Sequence, residues 1–369
     1  MKKIFCLFLI LAVSASAFSQ SISITGTAPS VPGNPTITGE LNSAFNQLKT
    51  ELGSIFGSIN ATPQNLIQAF GNAAVYASHG ATQRGYGGYK NFAVTFGPSV
   101  GIQLPVSPFD MMDYISGDPL GKLYNDGDIT FGISPQVINA QIGFKTSFLL
   151  KDLYFGLRVG YVPKELGNML GGLAGGFAGG LSLSFDNLLI GVTANYQLVE
   201  SVDIIKGLIT WRGINIGSGF IFQNTRLSMA YPLEIDPVTS GNATLRVDPR
   251  LLFNMNITTF TVPVEIMTAI NLLFINIPLG VGVDFANGLS DISIGMESGI
   301  DVAVTGYNGP INPGNLNVSA GGKGTPSFTN FKLMSGIGFK IGSLILDIPI
   351  TWYFLDNGVS FGVTLGLAW

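Results

Sequence analysis

From Asn91 onward the chain alternates between large apolar residues and small or polar ones. Phe92, Val94, Phe96, Val100, Ile102 and Leu104 interleave with Ala93, Thr95, Gly97, Ser99, Gly101 and Gln103. Successive side chains of a strand point to opposite faces, so each run predicts a strand with one greasy face. The pattern recurs at Leu153, Phe155, Leu157, Val159 and Tyr161, and at Leu245, Val247, Leu251, Phe253, Met255 and Ile257. It returns at Ile292, Ile294, Met296, Ile300, Val302 and Val304, and at Leu344, Leu346, Ile348, Ile350 and Trp352. Counting such runs predicts about fourteen strands, with spans such as 174–186, 188–199, 204–212, 214–228, 243–258, 260–270, 273–286 and 290–305. Asp186-Asn187, Lys151-Asp152, Gly342-Ser343 and Asp356-Asn357 read as tight connections, whereas 105–130, 228–242 and 306–326 read as long ones. Short turns at one end and long loops at the other are the asymmetry of an outer-membrane barrel.

Upstream the period is different. Leu41, Phe45, Leu48, Leu52, Ile55 and Ile59 recur at steps of three and four and predict an amphipathic helix. Thr62-Pro63 reads as an N-cap followed by proline at the first helical position. A second helix then carries Leu66, Ile67, Phe70, Ala73, Ala74 and Ala77 and runs toward Gly80, and 80–90 reads as a connector. Residues 18–38 read as loose.

The last strand is the most specific signal. Val359, Phe361, Val363, Leu365, Leu367 and Trp369 alternate with small or polar residues up to a terminal aromatic. That pattern resembles the C-terminal assembly signal of bacterial outer-membrane barrels, with the barrel-assembly machinery as the implied partner. At the other end, Lys2 and Lys3, an apolar run over 4–13 and Ala15-Ser16-Ala17 predict a cleaved signal peptide over 1–17. The expected organisation is therefore a signal peptide (1–17), an N-terminal helical hatch segment (18–90) and a β-barrel (91–369), located in the bacterial outer membrane.

Composition agrees with a barrel. Charged residues make up 11% of the chain, against roughly 25% in ordinary soluble domains. The mean hydropathy is +0.42, yet the apolar residues are spread over alternate positions, as in a transmembrane β-barrel. Without Lys2 and Lys3, sixteen basic residues face 22 acidic ones, a balance of −6 that gives nucleic acid no electrostatic footing. The single cysteine, Cys6, lies in the signal segment, so no disulfide and no thiolate ligand is expected after cleavage.

Catalytic chemistry finds little support. His79 is the one histidine, and no serine motif stands beside it to make a nucleophile and base pair. The glycine-rich run 171–180 lacks the Lys and Ser/Thr of a phosphate loop and leads into a strand pattern. No enzyme activity, metal or cofactor is expected. The informative polar residues are charges on the face opposite the apolar one: Lys145, Arg158, Arg246, Asp248, Arg250, Glu265, Asp284, Glu297, Asp301, Lys332, Lys340 and Asp347. They are expected in the lumen, where they solvate the interior, pair with one another, or contact a plug or permeant. On the same reasoning Val302 is expected against lipid, and Ala303 and Thr305 in the lumen.

An all-β transmembrane antiparallel barrel of about fourteen strands preceded by a helical plug resembles the FadL-type family of long-chain fatty-acid transporters. The resemblance rests on architecture. The Asn-Pro-Ala that often follows the hatch of that family has its nearest counterpart in Asn72-Ala73-Ala74, without the proline. It implies a hatch in the lumen and passive, lateral diffusion of a hydrophobic small molecule such as a fatty acid. Phe45, Leu48, Leu52, Phe70 and Phe274 are the candidate ligand-binding residues on that reading. A general porin and a surface-exposed adhesin or structural protein are the alternatives, and the N-terminal segment is either a plug or a periplasmic arm.

Overall fold

A computed structural model describes residues 23–57, 63–79, 91–106, 131–146, 150–162, 182–233 and 235–369. The expected signal segment, the 80–90 connector, the 171–180 run, most of the 105–130 loop, and the side chains of Ile55, Ile59, His79 and Glu297 lie outside the described residues.

The elements in chain order are β1 (Ser23–Thr27), α1 (Pro35–Gly57), α2 (Pro63–His79), β2 (Phe92–Gln103), β3 (Gly132–Lys145), β4 (Leu153–Val162), β5 (Ser182–Val199) and β6 (Val202–Ile205). There follow β7 (Ile209–Pro232), β8 (Val238–Ser240), β9 (Ala243–Val247), β10 (Arg250–Leu272), β11 (Ile275–Val304) and β12 (Gly314–Gly324). The last are β13 (Thr329–Ile341), β14 (Leu344–Tyr353), β15 (Gly358–Gly362) and β16 (Thr364–Ala368). All the strands join one antiparallel sheet.

The sheet closes on itself. β12 and β13 run one after the other along the same edge of β11. β13 pairs with β14, β14 with β15 and β16, and these two with β2. Around the ring stand β2, β3, β4, β5, β7, β10, β11, the β12–β13 strand, β14 and the β15–β16 strand. The described ring therefore has ten wall positions, not about fourteen.

The four missing strands were single strands read as two. Within the described residues, 182–186 and 188–199 share β5, 209–212 and 214–228 share β7, 250–258 and 260–270 share β10, and 275–286 and 290–304 share β11. Asp186-Asn187 is accordingly not a turn but mid-strand, paired with Arg226 and Thr225. The cause is a change of chemistry at constant facing. In β10, Leu251, Phe253, Met255 and Ile257 are buried on the inner face, and so are Thr259 and Thr261 directly after them. The outer face changes in the opposite sense, from Asn254 and Asn256 to exposed Phe260, Val262, Val264 and Ile266. The apolar positions thus slip by one residue, which imitates a turn. β11 shows the same change between Ser290 and Ile292, and β7 between Thr225 and Leu227, at positions paired with Ile257 or next to such a pair.

These strands are long because they serve two zones. β11 has 30 residues and β10 has 23, against roughly 9–11 for crossing a bilayer. In the lower zone the outside is a continuous apolar belt, including Phe96, Leu157, Ile190, Phe220, Phe260, Val281, Phe331 and Ile350, all exposed. From Phe260 to Leu272 the strand advances about 40 Å, or about 30 Å along the normal at a tilt near 40°. A belt of that height would aggregate in water and matches a hydrocarbon core; the barrel is an outer-membrane protein. The C-terminal residues Phe361, Val363, Leu365, Leu367 and Trp369 all lie on this belt, and Trp369 packs edge-on against Phe92 at 5.3 Å.

Tight turns at Lys151-Asp152, Leu273-Phe274 and Gly342-Ser343 gather at the end that holds Trp369. By the asymmetry of such barrels this end faces the periplasm. The upper zone stands beyond the opposite mouth. There β8, β9, β11, β12 and β1 continue the wall as a sheet, and α1 packs against β8 and β9. The α1 helix starts earlier than its apolar period suggests. Asn34 caps it, accepting the Ile37 amide proton at 3.1 Å, and Pro35 stands at the first helical position.

Candidate functional site

The α2 helix contacts strands on opposite sides of the ring, β2, β3 and β15 on one side and β7, β10, β11 and β12 on the other, and residues 66–67 and 69–78 are buried. The fit is made by small groups. Ala69 and Ala73 stand one turn apart, and their carbonyls press against Gly132 and Gly101, where a Cβ would collide with the helix backbone. Such contacts let a helix of roughly 10–12 Å diameter enter a narrow ring. Around eight strands the interior of a barrel is just filled by side chains, so ten strands leave limited room beyond a helix.

A polar rail, Gln68, Asn72 and Tyr76 at steps of four, faces the wall. The Asn72 amide nitrogen is the donor to Gln103 at 2.9 Å, to Ser327 at 3.1 Å and to Asp356 at 3.2 Å. Its carbonyl oxygen accepts the Ser327 backbone N–H at 2.6 Å. Gln68 donates to the Ser327 hydroxyl at 3.1 Å, and Tyr76 stacks on Tyr353 with centroids 3.9 Å apart. Asn72 therefore ties α2 to β2, to the 325–328 break between β12 and β13, and to the β14–β15 turn. The sequence named Asn72 only as part of a tripeptide. Its role as hub went unseen because its partners lie 31 to 284 residues away.

Below α2 the lumen is polar. Lys332 is fully buried and donates to Asp284 at 2.6 Å and to Glu265. Gln136, Asn139, Gln141, Arg158, Asn195, Asn215 and Gln223 are buried as well, on other strands of the ring. A charge in such a place survives only with partners. Arg158, Asp284, Lys332 and Asp347, among the charges expected in the lumen, are buried.

Other predicted residues lie elsewhere. Arg246, Asp248, Arg250 and Asp301 are exposed on the outer face of the upper zone, not in the lumen; Arg246 and Asp248 pair at 3.5 Å over water. Val302, expected against lipid, packs on the inner core, and Ala303 and Thr305 face out. The reason is that water, not lipid, surrounds the upper zone, so charge belongs outside and hydrocarbon inside. Phe45, Leu48, Leu52 and Phe70 come together in that core with Leu41, Phe253, Met255, Ile294 and Met296. Phe274 does not join them; it is an exposed residue of the β10–β11 turn at the far end of the barrel.

Solved structures with partial likeness are the translocator domain of the autotransporter NalP from Neisseria meningitidis, at 9% identity and TM-score 0.31 over 89% of this chain and 97% of that one. LpxR from Salmonella typhimurium follows at 7% identity and TM-score 0.22, over 74% and 100%. A deletion mutant of the TodX monoaromatic hydrocarbon channel stands at 8% identity and TM-score 0.21, over 76% and 91%. Scores this low say nothing of function. No curated protein matches the sequence. A family model does match, from residue 22 to residue 369 and so across both helices and the whole barrel: the chain belongs to the Lsa36-like family.

Proposed function

We propose that this protein is a surface-exposed interaction protein of the outer membrane and not an enzyme. The barrel anchors it, α2 acts as a fixed plug in the lumen, and the strand-and-helix extension held together by α1 meets partners outside the cell. The observation that carries this reading is the inversion along β10 and β11. A wall that turns polar outside and apolar inside is built to stand in water beyond the bilayer.

The expected loss of Cys6 with the signal segment makes cysteine labelling a clean test. Single cysteines at Asn254 and Ser293, on the outer face of the upper zone, should react with a membrane-impermeant maleimide on intact cells. A cysteine at Val264 should not. Labelling of Asn254→Cys only after cell lysis would refute the orientation.

A second reading, passage of hydrophobic small molecules such as fatty acids, draws on one observation. Leu66, Ile67 and Phe70 of α2 share the apolar core with Phe45, Leu48 and Leu52 of α1, so one continuous apolar core joins the two helices. On that reading Leu52→Asp lowers uptake of a long-chain lipid with the barrel still assembled. Unchanged uptake leaves the surface role alone.

The terminal strand ending in Trp369 is proposed as the signal for the barrel-assembly machinery. Trp369→Asp should abolish the heat-modifiable, membrane-inserted form, and normal insertion of that variant would disprove it.

A further inference from the structure

The wall closes where β2 meets the β15–β16 strand, and β2 is irregular on both of its edges there. On one edge Gly97 pairs with Asn139 and Ser99 with Gln136, so Val137 and Ile138 of β3 stand together opposite Pro98. Such a bulge kinks its strand and adds local twist. On the other edge the ladder holds at Gly362↔Ser99 and Leu365↔Phe96 and lapses between them. Val363 donates its N–H to the Pro98 carbonyl at 3.1 Å, but proline has no N–H to return. The Val363 carbonyl leans over Gly97, where a Cβ would collide with it.

The outer surface is dented at the same place. A notch of about 350 Å³ is bounded by Phe96 and Pro98 of β2, Val137 and Ile138 of β3, and Val363 and Leu365 of the last strand. Its lining is hydrocarbon throughout. Phe96, Ile138, Val363 and Leu365 belong to the apolar belt and are 43–59% exposed. Leu365 and Val363 stand four and six residues above Trp369, about 10–16 Å along the normal at a tilt near 40°. The notch therefore spans the deep part of the periplasmic leaflet, up to the midplane of a hydrocarbon core about 30 Å thick.

We infer that this notch binds one acyl chain of a phospholipid from the periplasmic leaflet. Water does not reach that depth, and an unfilled dent would forfeit dispersion contacts at every lining atom. A phospholipid whose headgroup lies at the level of Trp369 carries its chain to this depth. A chain walled by three strands touches more protein than one lying on the flat belt, so it is held in preference to the surrounding lipid. The site follows from the membrane setting of the belt and is independent of the surface role.

The test uses the refolded full chain in vesicles of phosphatidylcholine that carries a diazirine halfway along one acyl chain. After photolysis, peptide mass spectrometry compares the notch with Ile266 and Val281, exposed belt residues that pair with each other six residues above Leu272 and so lie at a similar depth. Labelling of Phe96, Ile138, Val363 and Leu365 should exceed that of Ile266 and Val281 at least threefold. Ile138→Trp fills the notch and should bring Phe96, Val363 and Leu365 down to the level of Ile266 and Val281. Ile142→Trp, an outward residue of the same strand with matching exposure and no part in the notch, should leave the excess intact. Heat-modifiable migration checks folding, and Val137→Phe takes the place of Ile138→Trp if that variant fails to fold. Free oleic acid at a tenth of the lipid should leave the excess unchanged; its removal by oleic acid overturns the assignment to a phospholipid. Uniform labelling along the belt, or an excess that survives the filling variant, overturns the inference.

Discussion

The two zones of this barrel use the same strands and opposite chemistry. In the lower zone Glu265, Asp284 and Lys332 point inward and Val262, Val264 and Val281 point out; in the upper zone Met255, Ile257 and Ile294 point inward and Asn254, Asn256 and Asp291 point out. The hydrogen-bonded ladder between β10 and β11 runs without a register shift from Leu272↔Ile275 to Arg250↔Glu297. Backbone geometry therefore does not separate the zones. What separates them is the medium on each side of the wall: lipid outside and polar side chains inside below, water outside and helices inside above. A sheet takes its polarity from what it faces, and one strand can face two solvents along its length.

The comparison breaks most severely where the upper core loses a large side chain. Phe253 is 2% exposed within that core. Phe253→Ala should cost about 3–5 kcal/mol, read as a lower denaturant midpoint for the extension and faster proteolysis of α1, with the lower barrel still resistant to sodium dodecyl sulfate at room temperature. Loss of both zones together would show that they fold as one unit.

A charge placed on the same outer face sharpens the contrast. Val264→Arg enters the lipid belt and should cost about 2–4 kcal/mol. Asn256→Arg, eight residues up the same face, should change stability by no more than about 0.5 kcal/mol. Refolding into lipid vesicles against urea measures both, and equal costs would refute the boundary near Thr258.

Between the zones stands Asn72. Asn72→Leu keeps the approximate volume and removes the hub, leaving Gln103, Ser327 and Asp356 without that partner. The expected cost is about 1–3 kcal/mol. Single-channel recordings should show brief openings that the wild type lacks, because α2 is held less firmly. A variant as silent and as stable as wild type would mean that the alanine and glycine contacts hold the helix alone.

The smallest effect belongs to the upper surface. Lys323 and Asp291 pair at 3.5 Å with both side chains well exposed. Lys323→Ala should shift stability by less than about 1 kcal/mol, and less again in high salt. A larger loss by thermal melt would place that pair in a less watery setting than the fold implies.

Much of this was legible in one dimension. A strand has a strict period of two, so Phe361, Val363, Leu365, Leu367 and Trp369 were bound to share a face, as were Leu157, Val159 and Tyr161. The 3.6-residue period likewise grouped Phe45, Leu48 and Leu52 before any partner was known, and they are buried together. Periodicity names a face but not what the face meets. Leu251, Phe253, Met255 and Ile257 make the same pattern whether they touch lipid or a helix. Only the packing of α1 over β8 and β9 decided that they point inward and that Arg246, Asp248 and Arg250 meet water. The number of strands hung on the same point, because an exchange of solvents along one strand slips the apolar period as a turn does. The hub at Asn72, the buried Lys332 with its two carboxylates, and the notch between Phe96, Ile138 and Val363 join residues far apart in the chain, and contacts of that range exist only once the ring has closed.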